Sequence, residues 1–193
     1  MAVNKQSSPK FVMTFEEKKK FFAEFGIFLA GFLLISYFFG FSYIWNTSYG
    51  SEASVNGWNY IIAFFSGTYS SENRIFGDLA VPFNVYAKIH ARVLAVMVVI
   101  SLFIIIALVV VSALNIKKFK KRFELLSIGL LYLLSLVYLG CIIVGLLMNG
   151  SDILSKFCGG NPECSIGTLA FIPFGATVLF AIFSTRFVLK NEL

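Results

Sequence analysis

Four long apolar runs, separated by polar or charged segments, dominate the hydrophobic pattern of this chain. They cover residues 25–45, 93–116, 125–148 and 166–183, and none contains Lys, Arg, Asp, Glu or His. Each meets or nearly meets the roughly 20 residues that a helix needs to cross about 30 Å of hydrocarbon. The pattern predicts an all-α polytopic membrane protein, a four-transmembrane-helix bundle. We expect Pro173 to kink the fourth helix.

These runs divide the chain into tails, spans and loops, with a folded first outer loop. The predicted segments are a cytoplasmic tail and helix start at 1–24, spans at 25–45, 93–116, 125–148 and 166–185, outer loops at 46–92 and 149–165, an inner loop at 117–124, and a cytoplasmic tail at 186–193. The first span is predicted to act as a retained signal anchor. The short inner loop predicts that the second and third spans are antiparallel neighbours.

Composition and charge support this interpretation. Hydrophobic residues make up 58% of the chain and charged residues 13%, against roughly 25% charged in a soluble domain. Twelve basic residues fall on one predicted side, namely Lys5, Lys10, Lys18, Lys19, Lys20, Lys117, Lys118, Lys120, Lys121, Arg122, Arg186 and Lys190. The other side has four, Arg74, Lys88, Arg92 and Lys156. The positive-inside rule then predicts cytoplasmic termini in a protein of the cell membrane.

The basic clusters need no nucleic-acid partner, because they crowd the predicted membrane ends of helices, where orientation and anionic headgroups explain them. Lys18, Lys19 and Lys20 precede the first span, and the inner loop carries Lys117, Lys118, Lys120, Lys121 and Arg122. Thr14 and Glu17 have the spacing of a capping box, which predicts a helix start near Thr14.

The first outer loop contains an aromatic stretch, residues 58–65, that is too short to cross a membrane. It could lie in the interface, pack on the bundle, or present an apolar patch to a partner. Trp58, Tyr60, Phe64 and Phe65 are the candidate partner contacts.

The chemical inventory is thin. His90 is the sole histidine and cannot by itself form a bis-His haem site or an HExxH zinc site, so we expect it at the membrane interface beside Arg92. The predicted spans hold hydroxyls and one thiol, which suit interhelical hydrogen bonds or, less directly, a passive pore. No catalytic group, cofactor or metal is predicted. Small-residue pairs such as Gly26 and Ala30 suit close helix packing or a partner helix.

Two cysteines and two sequons fall on the predicted outer side. Cys158 and Cys164 are separated by five residues that include glycines and a proline, and we expect them to form a disulfide there. Cys141 lies in the third span as a packed hydrophobe. Asn46 and Asn149 begin Asn-x-Ser/Thr acceptor triplets, which matter if the source is eukaryotic.

The layout resembles that of the claudin, PMP22 and channel-γ-subunit group of tetraspan proteins. The similar residues are Trp45 after the first span, Gly57-Trp58 in the first loop, and Ala91-Arg92-Val93-Leu94 opening the second span. That group carries two cysteines in its first loop, and this chain carries none there. The resemblance implies a non-enzymatic role in cell contact, membrane organisation or regulation of a partner channel, with the first loop as the contact surface.

The leading functional prediction is an accessory, structural or regulatory subunit of a larger membrane assembly, with membrane lipids and other membrane proteins as partners, in a hetero- or homo-oligomer. A small channel or transporter component is the first alternative. A membrane enzyme of thiol–disulfide exchange or lipid modification is the second.

Overall fold

The fold is seen in a computed structural model, which describes residues 14–46, 51–67, 85–118, 121–148, 164–166 and 170–190. Its helices are α1 (Phe15–Ser36), α2 (Gly57–Ser66), α3 (Val85–Lys118), α4 (Lys121–Met148) and α5 (Phe171–Lys190), and its strands are β1 (Gly40–Asn46), β2 (Ser51–Asn56) and β3 (Cys164–Ile166). The described residues are therefore mostly helical, with one small sheet.

Three of the helices are long and apolar enough to cross a membrane. Their apolar parts are Arg92–Lys117 in α3, Lys121–Leu147 in α4 and Phe171–Val188 in α5. They match the second, third and fourth predicted spans to within a few residues. The chain is therefore an integral membrane protein with at least these three candidate spans.

The capping box predicted at the start of α1 is confirmed. The Thr14 hydroxyl accepts from the Glu17 backbone N–H at 3.3 Å, and the Glu17 carboxylate accepts from the Thr14 backbone N–H at 2.7 Å. These hydrogen bonds stabilise the ionised carboxylate and lower the pKa of Glu17 below its ordinary value of 4.5. The helix begins at Phe15 because its first donors are satisfied locally.

The helices pack in the order α1, α3, α4, α5, with α3 between α1 and α4. Two residues separate α3 from α4, and the side chain of Met97 in α3 lies beside Gly140 in α4, so the two helices are antiparallel neighbours as predicted. The shared core is built from buried apolar side chains of every helix. Leu33, Leu94, Ile105 and Leu134 are among them.

The outward face of the bundle is apolar. Phe28 is 69% exposed in α1, Phe103 is 62% exposed in α3 and Leu136 is 65% exposed in α4. Water is a poor solvent for such a surface, whereas lipid tails are as apolar as these side chains. The core and the outer face are thus both hydrophobic, which explains why the helices show almost no amphipathic pattern.

Pro173 does not lie where it would kink a span, so that prediction is wrong. Helix α5 begins at Phe171, which puts Pro173 in its first turn. A first-turn residue has no intrahelical acceptor for its N–H, so the missing donor of proline costs nothing there. The carbonyl of Pro173 instead accepts from the Thr177 hydroxyl at 2.9 Å.

The first predicted span also ends differently. Helix α1 stops at Ser36, and the remainder of the apolar run, from Gly40, forms strand β1. Strand β1 is central in a three-stranded antiparallel sheet of order β2-β1-β3, with Ile44 opposite Ala53 on one side and Cys164 on the other. The aromatic and β-branched residues after Gly40 suit a strand, and the two flanking strands pair with its backbone groups.

Candidate functional site

The end of α1 is joined directly to the start of α2. The carbonyl oxygen of Tyr37, the residue that ends α1, accepts from the backbone N–H of Gly57 at 2.9 Å and of Trp58 at 3.4 Å. Asn56 caps α2 by accepting from the Asn59 N–H at 2.9 Å. The free carbonyl end of one helix therefore meets the free N–H end of the next, which satisfies both. We call this contact the helix junction.

The side chain of Tyr37 ties the helix junction to α3 and α4. Its hydroxyl contacts the hydroxyl of Ser101, and the hydroxyl of Tyr138 lies 3.4 Å from that of Tyr37. Ser101 donates to the carbonyl of Val98 at 2.8 Å. Each of the three hydroxyls therefore has an acceptor for its single proton: Tyr138 donates to Tyr37, Tyr37 to Ser101 and Ser101 to Val98. The row runs from Tyr138 through Tyr37 to Ser101 and is buried throughout.

Helix α2 also lies beside α3. It packs against α3 rather than against α1. Tyr37 meets α3 at Ser101, which lies nine residues, or about 14 Å, inside the candidate span that begins at Arg92. The ten residues of α2 rise about 15 Å, so α2 has the length to cover that remainder of α3. Helices α1 and α2 therefore both contact α3, which has 34 residues.

Two glycines let the elements approach closely at these contacts. A Cβ on Gly57 would lie 2.9 Å from Cγ of Tyr37, and a Cβ on Gly26 would lie 2.8 Å from Oγ of Ser112. Both distances are shorter than carbon contacts allow, so each glycine is required by the packing. For Gly26 and the buried Ala30, the small-residue pair packs α1 within its own bundle.

The candidate contact residues divide into exposed and buried ones. Phe64 is 38% and Phe65 is 69% exposed, and Trp58 is half-buried between the rings of Tyr37 and Phe38. Tyr60 is 1% exposed, so it packs inside the protein and cannot be a partner contact. Tyr60 lies on the buried face of α2 with Gly57, Ile61 and Ala63, whereas Phe64 and Phe65 lie in its last turn.

At the opposite end of the bundle, a cavity of about 460 Å³, its mouth included, lies among α1, α3, α4 and α5. This end carries the basic residues around the α3–α4 connection, and we call it the basic end. Apolar walls dominate, formed by Phe22, Ala23, Leu108, Ile128, Leu131, Phe180, Phe187 and Val188.

A polar group occupies one side of the cavity. Lys19 in α1 and Glu124 in α4 form an ion pair with Nζ and Oε1 2.9 Å apart, and their side chains are 16% and 12% exposed. Asn115 is 5% exposed, and its Oδ1 has no hydrogen-bond partner in the described part of the chain. The buried Oγ of Ser127 also has no hydrogen-bond partner in the described part of the chain. The cavity thus combines apolar walls, a neutralised charge pair and two unpaired polar atoms.

The side of the cavity between α1 and α5 is closed by phenylalanine rings. Phe22 lies 4.4 Å from Phe187 and 6.2 Å from Phe180, measured between ring centroids, and Phe25 lies 4.9 Å from Phe180. The neighbouring pairs α1–α3, α3–α4 and α4–α5 pack far more extensively than α1 and α5 do. This wall therefore consists of side chains that can rotate, rather than of closely packed helix backbones.

Most of the hydroxyls in the spans bond locally or between helices of one chain. Ser101, Ser135 and Thr177 each donate to a carbonyl of their own helix, and Tyr132 contacts Thr185 across α4 and α5 at 3.1 Å. Ser101, Ser112, Ser135, Thr177 and Ser184 are all buried. They are interior packing groups in this structure.

Several predicted residues lie outside the description. Cys158, Lys120 and Asn149 are not among the described residues, and the side chains of Asn46, His90, Lys118 and Cys164 are not described. Arg92, Lys117, Lys121 and Arg122 are exposed, and Lys18 and Lys20 lie at the same end of the bundle as Lys117, Lys121 and Arg122. Lys19 differs, because it turns into the bundle to reach Glu124. Cys141 is a buried free thiol.

Sequence reasoning missed Glu124, Asn115, Ser127 and Ser184 as members of a common site. Each is an ordinary polar residue near a span end, and they meet only after the helices pack. Within the described part of the chain, no three potential metal ligands of the His, Cys, Asp and Glu types cluster together. None of the family models, curated proteins or solved structures compared with this chain matches it significantly.

Proposed function

We propose that this chain is a non-enzymatic four-span membrane protein, an accessory, structural or regulatory subunit that acts through contacts with other membrane proteins. The observation that carries the proposal is the helix junction. It attaches a sheet and a short helix firmly to the bundle through both the backbone and the side chain of Tyr37. A rigid bundle that holds a folded insertion suits recognition of a partner.

The fourth span in this proposal is the interrupted helix formed by α1 and α2. Irregular backbone is tolerated at membrane depth only where protein or water satisfies it. Here the Tyr37 carbonyl is satisfied by α2, and strand β1 pairs on both edges. The interruption therefore meets the requirement for a span, although α1 alone carries too many charges and too short an apolar part.

The contact surface in this proposal is formed by the exposed apolar side chains at the helix junction and on α2. Phe38 and Phe65 are 68% and 69% exposed, and Phe64 stacks edge-on against Phe65 with ring centroids 5.2 Å apart. Large aromatic side chains are common anchors of protein interfaces. The resemblance in layout to the claudin group is consistent with a contact role for this same segment.

Orientation follows from the distribution of charge in the proposed topology. The basic end, with Lys121 and Arg122, faces the cytoplasm together with both termini, and α2 ends at the outer surface of the cell membrane. A reporter that is active only in the cytoplasm should work after Leu193 and should fail when inserted at Gly67, the exposed residue that ends α2. Activity at Gly67 would contradict this orientation, and a reporter fused before Met1 that fails would contradict the fourth span.

The partner is sought by gentle-detergent purification of the tagged full-length chain from its native membrane. Replacing Phe38 and Phe65 by Ala should reduce co-purification of a specific partner at least severalfold, while the protein remains inserted. The matched control is Phe103→Ala, which removes an equally exposed ring from the face of α3. Equal recovery of the partner with both variants would contradict a contact role for the helix junction.

The alternative of a pore lined by hydroxyls finds less support. Its candidate residues, among them Ser101 and Thr177, are buried within a single bundle and already bonded to their own helices. Ion flux from the purified protein in liposomes would nevertheless favour it over a contact role.

A further inference from the structure

We propose that the cavity at the basic end binds a single-chain lipid with an uncharged, hydroxyl-bearing head, such as a monoacylglycerol. This inference goes beyond the contact function proposed above, because it concerns the other end of the bundle and needs no protein partner. It requires that α3, α4 and α5 stand in a membrane and that α1 packs against them.

The polar atoms of the cavity define the head. Asn115 is 95% buried, as its 5% exposure implies, and its Oδ1 is an acceptor without a donor in the described part of the chain. Ser127 adds an unpaired hydroxyl that can donate or accept. A buried polar atom without a hydrogen bond destabilises the protein. A ligand hydroxyl that bonds to both Asn115 and Ser127 would remove that penalty, which favours binding.

The charges of the cavity argue for an uncharged head. Lys19 is neutralised by Glu124 at 2.9 Å, so the pair offers no net charge to a phosphate or carboxylate. A phosphate or carboxylate in the cavity would also lie near the carboxylate of Glu124, which lines it. Exposed Lys121 and Arg122 attract anionic lipids to the outside of this end, and the experiment has to separate that surface attraction from binding within the cavity.

The walls define the tail. From Asn115 to Leu108 the cavity follows α3 inwards for about 10 Å, and its deep part is lined by Leu108, Leu131 and Phe180. The space, about 460 Å³ with its open mouth included, is too small for a two-chain phospholipid and takes only part of a single acyl chain. The ring wall of Phe22, Phe25, Phe180 and Phe187 between α1 and α5 faces the bilayer side, so a chain can enter laterally when these rings rotate.

The test uses the purified full-length protein in phosphatidylcholine vesicles and a monoacylglycerol with a photoactivatable group in its acyl chain. Labelled peptides should come from the cavity helices, and unlabelled monoacylglycerol should compete. Asn115→Leu, which removes the acceptor and keeps the volume, should lower the apparent affinity about tenfold. Ile128→Trp, which fills the cavity, should abolish specific labelling.

The matched control is Leu133→Trp, which places the same ring on the exposed face of α4 and should label like the unmodified chain. Thermal unfolding of every variant in detergent identifies loss of folding. Asn115→Leu and Ile128→Trp alter the cavity in different ways, so if one of them fails to fold the other still tests the site. Equal labelling of the Ile128→Trp and Leu133→Trp variants would overturn the cavity as the site. Competition by an anionic lysophospholipid but not by monoacylglycerol would overturn the uncharged head.

Discussion

The backbone N–H of Gly57 lies 2.9 Å from the carbonyl oxygen of Tyr37. This hydrogen bond joins the end of α1 to the start of α2, although the two residues are far apart in the sequence. The apolar run at 25–45, which looks like one span, instead forms the end of α1 and strand β1, and β2 and α2 follow it. The stability of this arrangement is open to direct tests.

The first prediction is that Gly57→Ala destabilises the protein by about 1–3 kcal/mol, because the new methyl group would overlap the Tyr37 ring. Gly31→Ala is the control, since no atom lies within 4 Å of a Cβ there. In a helix, that change should be neutral or stabilising by up to about 1 kcal/mol. Denaturation in mixed micelles measures both, and equal stabilities would contradict the close contact.

The second prediction is that Tyr37→Phe costs about 0.6 kcal/mol, the average measured for hydrogen bonds between helices in membranes, and at most about 1.7 kcal/mol. The change removes the hydroxyl that joins Ser101 to Tyr138 and retains the ring. A double-mutant cycle with Ser101→Ala should give a coupling energy different from zero. Additive effects of the two substitutions would mean that the hydroxyls do not interact.

The third prediction concerns the close approach of α1 and α3. Gly26→Ala should destabilise the protein, because the added carbon would lie 2.8 Å from the Ser112 hydroxyl. Ser112→Ala removes that oxygen, so the double variant should recover most of the lost stability. The measurement is the melting temperature in detergent. Failure of Ser112→Ala to rescue Gly26→Ala would place the damage elsewhere.

The fourth prediction follows from the pKa of Glu17, which hydrogen bonds from Thr14 lower below 4.5. A lowered pKa in the folded state means that the stabilisation is present above 4.5 and is lost as the pH falls through the folded value. Backbone chemical shifts of residues 14–18 should therefore show the first turn of α1 loosening at a midpoint below 4.5. In Thr14→Ala the midpoint should move up towards 4.5, and an unchanged midpoint would contradict the capping box.

Features that depend on adjacent residues were predictable from the sequence. Thr14 and Glu17 are three residues apart, so their reciprocal hydrogen bonds are local. The three apolar helices were equally predictable, because the length of an apolar run and its lack of charge indicate a span. The antiparallel pairing of α3 and α4 follows from a connection too short for any other arrangement.

Features that depend on distant partners were not predictable. Nothing in the hydropathy of residues 25–45 marks the end of α1 at Ser36, because the strand that follows is as apolar as the helix. Its partners are Ser51–Asn56 and Cys164–Ile166, and the second pairing joins segments on opposite sides of three helices in the sequence. The cavity was hidden for the same reason, since Lys19, Asn115 and Glu124 meet only through packing.

The sheet sets an order for biogenesis. Strand β3 pairs with β1 at residues 164–166, after α4 has been made, so one edge of β1 remains open while α3 and α4 are being synthesised and inserted. An open strand edge next to lipid has unsatisfied N–H and carbonyl groups and invites wrong pairing. The nascent chain must therefore shelter β1, within the insertion machinery or against another subunit, until Cys164–Ile166 emerges to complete the sheet.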